Sequence, residues 1–133
     1  MTVIVTDTGF AADDLNVEFT ALPDLDGQDA VFIPSDTNPA DLTAALKASI
    51  VAIDFPSFAD GRGFTLASQL RKLGYQGRLR AQGHVICEQY TMARRSGFDE
   101  VAISDDLAAR QPENLWQTRS DWKANDYQAR VRG

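Results

Sequence analysis

Between Ile50 and Ser104 three strand-like runs alternate with two helix-like runs, and no hairpin turn separates one strand from the next. The order reads IVAIDF, PSFADGRG, FTLASQLRKLG, YQGRLRAQG, HVICEQYTMARRSG, FDEVAIS. A strand reached through a helical crossover lies parallel to its predecessor. Ile50–Phe55 is apolar on both faces until Asp54, which marks a central strand covered on each side. The two helices stop in the same way, at Gly74 before Tyr75 and at Gly97 before Phe98. Glycine takes the left-handed conformation that closes a helix, so the shared grammar is helix, Gly cap, aromatic, strand. Stacked βα units in an α/β fold with a mainly parallel sheet follow. The strand order stays open between a half-barrel-like and a flavodoxin-like arrangement. With 133 residues, 44% of them hydrophobic, the chain reads as a single compact domain. A complete eight-fold β/α barrel needs about 250 residues and is excluded.

The flanks are less regular. Thr2–Thr6 is a β-branched run that reads as a strand or an ordered arm. Residues 1–29 together read as an N-terminal appendage, with a β-like patch at Val17–Thr20. Ala30–Pro34 reads as a buried strand. In the SDTNPADL stretch Asn38 can cap a helix, Pro39 suits its first turn and Asp41 its positive end; this helix should stop near Ser49. Helices are expected over Phe64–Leu73 and Val85–Ser96, with a strand over Arg78–Ala81. After Ser104 the chain turns polar. Residues 112–133 read as a C-terminal helix or arm, Leu115–Ala129 carrying Trp116 and Trp122.

Charge and cysteine content exclude several classes. Lys and Arg total 13 against 19 Asp and Glu, a net charge of −6, the wrong balance for neutralising nucleic-acid phosphates. The single cysteine, Cys87, rules out an internal disulfide and a cysteine-rich zinc site. No run is apolar for long enough to cross a bilayer, and MTVIVTDTGFAADD lacks the charged start and long apolar run of a secretory signal. The expectation is a soluble cytoplasmic protein. There is no GxGxxG after a strand, no GxxxxGK[ST], no HExxH and no GxSxG. With one His and one Cys, neither a tightly held metal nor a redox cofactor is expected; carboxylate-held magnesium stays open.

Ligands of parallel α/β sheets collect outside the carboxyl ends of the strands. The first central strand ends at Asp54, Phe55 and Pro56, and its loop supplies Asp60, Gly61, Arg62 and Gly63. The next passes Arg80 to end at Gln82 and Gly83, where Gly83 and His84 open the following helix. The last ends at Ser104 and Asp105. Arg62, Arg80, Gln82 and Gly83 are therefore candidate ligand-binding residues for a small anion, and Asp54, Asp60 and His84 are candidate catalytic groups. A plainer account stands beside this one. Asp60–Gly63 can be a tight turn whose Asp caps the next helix and pairs with Arg62. Arg80 can be paired with a carboxylate such as Asp54. His84 can be a cap or surface group, and Cys87, inside a helix, inert.

Ala52–Ile103 resembles the bacterial domain of unknown function 934 family, whose members carry a label of oxidoreductase connected with sulfite reduction. The resemblance rests on Asp54, Phe55 and Pro56; Asp60 to Gly63; Leu70 and Arg71; Gly74 and Tyr75; Leu79, Arg80, Ala81 and Gly83; Glu88 and Gln89; and Arg95 to Asp99. Three positions depart from the family pattern. Arg78 replaces an acid, Glu88 an aspartate and Ser96 a cysteine, so thiol chemistry at that last position is not this protein's mechanism. The resemblance implies a role near sulfite or sulfate assimilation.

Together these readings give an accessory protein of that assimilation, binding sulfate, sulfite, phosphate or an anionic partner at the strand-end rim. Two alternatives stand: a small enzyme acting on a phosphorylated or sulfonated metabolite, and a non-catalytic partner of a sulfite-reductase-type enzyme. The isolated protein is expected to be colourless and not to reduce sulfite with NADPH. A homodimer could cover an exposed apolar sheet edge.

Overall fold

Ile50–Phe55 (β5) lies inside the sheet, flanked by Ala30–Ile33 (β4) and Arg78–Gly83 (β6), and both ladders are parallel. The computed structural model describes residues 2–13, 19–21 and 29–118. The remaining strands among them are Thr2–Thr6 (β1), Gly9–Ala12 (β2), Thr20–Ala21 (β3) and Glu100–Ser104 (β7). They form one seven-stranded sheet in the order β2-β1-β7-β6-β5-β4-β3. β3 to β7 are parallel and adjacent in chain order; β1 and β2 join antiparallel, β1 against β7. The architecture is α/β with a mainly parallel sheet. Residues 2–12, read from the sequence as part of an appendage, thus supply two strands of the same sheet. Val17 and Glu18 of the expected β-like patch lie outside the described residues, and so does Trp122.

The helices are Arg62–Lys72 (α1), Tyr90–Ser96 (α2), Asp105–Arg110 (α3) and Glu113–Gln117 (α4). Pro39–Ala45 is a 3-10 helix, capped as its sequence suggests: Asn38 Oδ1 accepts from Ala40 N at 3.0 Å, with Pro39 first. The helix expected from Val85 starts later, as a 3-10 turn at Cys87–Gln89 that leads into α2. Gly74 and Gly97 do take positive φ, +103° and +112°, as the two stops require. α3 falls where the sequence reads only as a polar stretch. Its signal is local: Ser104 Oγ accepts from Leu107 N at 3.2 Å, with Asp105 and Asp106 in the first turn.

One hydrophobic cluster joins these elements. Val51, Ile53 and Phe55 of β5, Leu79 and Ala81 of β6, and Val101 and Ile103 of β7 meet Leu66 and Leu70 of α1, Tyr90 of α2, Leu107 of α3 and Trp116 of α4. Phe55, Phe64 and Phe98 form its aromatic part, with ring centroids 4.9, 5.8 and 6.5 Å apart. Such pairs contribute about 0.5–1.5 kcal/mol each beyond burial. Gly63 makes room for them, since a Cβ there would lie 2.5 Å from the Phe55 ring. The alternation of strand side chains sends Arg78, Arg80 and Gln82 to the opposite face. At the amino-terminal end of the strands Arg71 ties the segments together. Its Nε and Nη2 donate to Gly97 O, its Nη1 to Tyr75 O and Gly77 O, and its Nη2 also to Asp99 Oδ2. Arg71, Gly97 and Asp99 of the familial pattern are accounted for by this structural staple. Among the described residues no helix is long and apolar enough to cross a membrane.

Candidate functional site

The ladder between β5 and β6 pairs Asp54 with Gln82 and Phe55 with Gly83, and His84 N extends it by donating to Phe55 O at 2.9 Å. The loops after β5 and β6 therefore leave the same end of the sheet, as parallel strands require. Gly83 is obligatory there: φ is +117°, and a Cβ would lie 2.6 Å from Phe55 O. Gln89 links the two loops. Its Oε1 accepts from Ile86 N at 3.1 Å and its Nε2 donates to Phe58 O at 2.8 Å.

Asp60 and Arg62 engage each other. Arg62 Nε donates to Asp60 Oδ1 at 2.9 Å and Nη2 to Oδ2 at 2.7 Å, a bidentate pair, while Arg62 N donates to Asp60 Oδ1 at 3.1 Å. These hydrogen bonds from Arg62 hold the Asp60 carboxyl well below the usual carboxylate range, and Asp60 raises the Arg62 guanidinium in return. Arg62 Nη2 also reaches Ser35 Oγ at 3.1 Å, at the end of β4. Arg62 lines a hollow of about 250 Å³ with Ser35, Asp36 and Thr37. The tight-turn account of Asp60–Gly63 describes this geometry well.

Arg80 is 2% exposed and fully engaged by carboxylates. Its Nε donates to Glu100 Oε2 at 2.6 Å, and Nη1 and Nη2 reach Asp13 at 3.2 Å each. Glu100 also accepts from Arg78 Nε. The partners of Arg80 are thus Glu100 and Asp13, where the sequence suggested Asp54 or a ligand. With Gln82, Thr2 and Asp13 it borders a second hollow of about 390 Å³, separate from that of Arg62.

A cleft of about 600 Å³ opens at the carboxyl ends of β6 and β7 between Phe58, His84, Ile86, Ser104, Leu107 and Arg110, with Gly83 and Gln111 completing it. Its floor is fixed by Gln111, whose Oε1 accepts from Cys87 N at 2.7 Å and whose carbonyl accepts from Trp116 Nε1 at 2.9 Å. His84 and Arg110 are exposed there. Asp54 stands on the same rim. Partial burial raises its carboxyl above its ordinary value; the nearby His84 opposes this, and Asp60 adds to it. Asp54 and His84 are therefore brought together, and Asp60 lies near enough to be felt. The backbone amides expected to await an anion after Gly83 are already used: those of His84, Ile86 and Cys87 donate to Phe55 O, Gln89 Oε1 and Gln111 Oε1. The helix begins only at Cys87, so the rim offers side chains instead. Phe58, Arg110 and Gln111 were not anticipated. The Ser104 cap could have announced α3 and so placed Arg110 one helix beyond the rim. Among the described residues no three His, Cys, Asp or Glu side chains converge as metal ligands would.

No curated protein and no solved structure matches the chain. One family profile does, over residues 30–133, well beyond the Ala52–Ile103 segment of the sequence resemblance. Its description is "Bacterial protein of unknown function (DUF934)", and this chain belongs to that family.

Proposed function

We propose that this protein binds a small anion in the cleft at the carboxyl ends of β6 and β7 and acts as an accessory protein of sulfite or sulfate assimilation. The assimilation setting comes from the family resemblance alone. The binding reading is carried by one observation: His84, Ser104 and Arg110 surround a single cleft, whereas Arg62 and Arg80 are held by carboxylates of their own chain. An arginine beside a hydroxyl and an imidazole suits an oxyanion, because charge-assisted hydrogen bonds to it are short and strong. The five parallel strands in chain order support the half-barrel-like over the flavodoxin-like reading, since a doubly wound sheet reverses its order. The test is calorimetric titration with sulfite, sulfate and phosphate at low salt. Binding by the native chain that Arg110→Ala weakens at least about ten-fold, roughly 1.4 kcal/mol, supports the reading. Binding that Arg110→Ala leaves unchanged overturns it, and so does the absence of heat at millimolar concentration with these three anions and with an organic phosphate alike.

A second reading has its own observation. Asp54, its carboxyl raised by burial and set beside His84 at a strand end, has the disposition of a general acid or base. Turnover of a phosphorylated or sulfonated metabolite that Asp54→Asn abolishes, with binding intact, would favour this small-enzyme reading.

A further inference from the structure

We infer that the ligand of this cleft is an organic anion, a flat unsaturated group carrying a phosphate-like or sulfate-like head, and not a bare inorganic oxyanion. The inference rests on the anion reading above and specifies the rest of the molecule. Size is the first argument. A four-oxygen anion takes roughly the room of two waters, about 60 Å³, and the cleft measures about 600 Å³. Clefts of that volume hold ligands of many more atoms.

The lining is the second argument. His84, Ser104 and Arg110 can take a charged head, but Phe58, Ile86 and Leu107 share the same cleft and offer an anion nothing. Phe58 is 60% exposed, the most exposed large apolar side chain in the described structure. An aromatic left in water loses the burial that usually holds it in place. Its loop is nevertheless fixed at three points. Asp60 N donates to Ser57 O at 3.0 Å, Ala59 N to Ser57 Oγ at 3.2 Å, and Gln89 Nε2 to Phe58 O itself at 2.8 Å. A ring held at the mouth of a cleft by backbone bonds, rather than by its own packing, is placed to stack on a flat group. Arg110 and His84 then meet the head of the same molecule.

The probe is phenyl phosphate, compared with inorganic phosphate by calorimetry on the full chain at low salt. Phenyl phosphate should bind about ten-fold more tightly, the scale expected of one aromatic contact. Phe58→Ala should remove that advantage and leave inorganic phosphate binding unchanged; because Phe58 is exposed, the variant should melt as the native chain does. Arg110→Ala should weaken both. Equal affinity for the two probes, or an advantage that survives Phe58→Ala, overturns this inference while leaving anion binding in place. Failure of both probes to bind overturns the anion reading itself.

Discussion

Gln89 Nε2 donates to Phe58 O across the rim while Gln89 Oε1 accepts from Ile86 N, so one amide side chain holds the loops after β5 and β6 in register. Each half of that amide has a separate task. Gln89→Glu keeps the acceptor for Ile86 N and removes the donor to Phe58 O. The variant should lose about 1–3 kcal/mol of stability, because a carboxylate oxygen then faces the Phe58 carbonyl. Hydrogen exchange should show the Ile86 amide still protected and the Ser57–Asp60 turn opening more often. Loss of protection at Ile86 would mean that the two contacts are not separable.

Arg80 and Glu100 form a buried pair, 2% and 4% exposed. Removing one partner leaves the other charged and desolvated, so Glu100→Gln should cost about 3–5 kcal/mol in urea unfolding. Replacing both, with Arg80→Met and Glu100→Met, should recover part of that loss, the remainder reflecting Arg78 and Asp13, which also contact the pair. A Glu100→Gln variant as stable as the native chain would show that Arg80 is not held as described.

Two glycines separate conformational strain from collision. Gly74 and Gly83 both have positive φ, but a Cβ on Gly74 meets nothing within 4 Å and one on Gly83 meets Phe55 O at 2.6 Å. Gly74→Ala should cost about 1–2 kcal/mol, the strain alone. Gly83→Ala should cost distinctly more, because the Phe55 carbonyl belongs to the β5 ladder and yields little. Chemical denaturation of the two variants side by side measures the difference.

The two rim carboxylates should respond to pH in opposite directions. The folded pKa of Asp60 is depressed, so its contribution is present above its unfolded value and is lost as pH falls toward the folded one. The folded pKa of Asp54 is raised, so its contribution is present below its unfolded value and is lost as pH rises through the folded one. At pH 7 Asp60→Asn should therefore destabilise the fold and Asp54→Asn stabilise it. On acidification the Asp54 difference should shrink first, as pH falls through its raised folded value, and the Asp60 difference only below about pH 4, the ordinary carboxylate range. Unfolding curves at several pH values decide it, and matching signs for the two variants would refute the assignment.

What could be read from the sequence was what is punctuated locally. β5 is bounded as its apolar run suggests, and Gly74 and Gly97 stop their helices by backbone conformation, a property of single residues. The partners of Arg80 could not be read this way. Asp13 is 67 positions away, and Glu100 faces Arg80 only because the β6–β7 register places them opposite each other. The cleft was half legible. His84 and Gly83 follow from the strand-end rule, but Phe58 and Arg110 come from two further segments that only the folded chain brings together. The expected amides after Gly83 failed for a specific reason: the ladder to β5 gains one more bond past the end of β6, which spends the His84 N–H on Phe55 O.

The pairing of Val3 with Ile103 has a consequence for synthesis. β1, made before β3 to β7, joins the sheet beside β7, so it must wait for those strands to leave the ribosome. Until then β1 and β2 are a two-stranded ribbon with Val3, Ile4 and Val5 lacking a partner strand on one side, and such ribbons are marginal in water. β4 to β6 can associate earlier, through contacts closer along the chain. The growing polypeptide therefore carries a sticky ribbon ahead of the parallel strands, and the ribbon becomes safe only once β7 has formed.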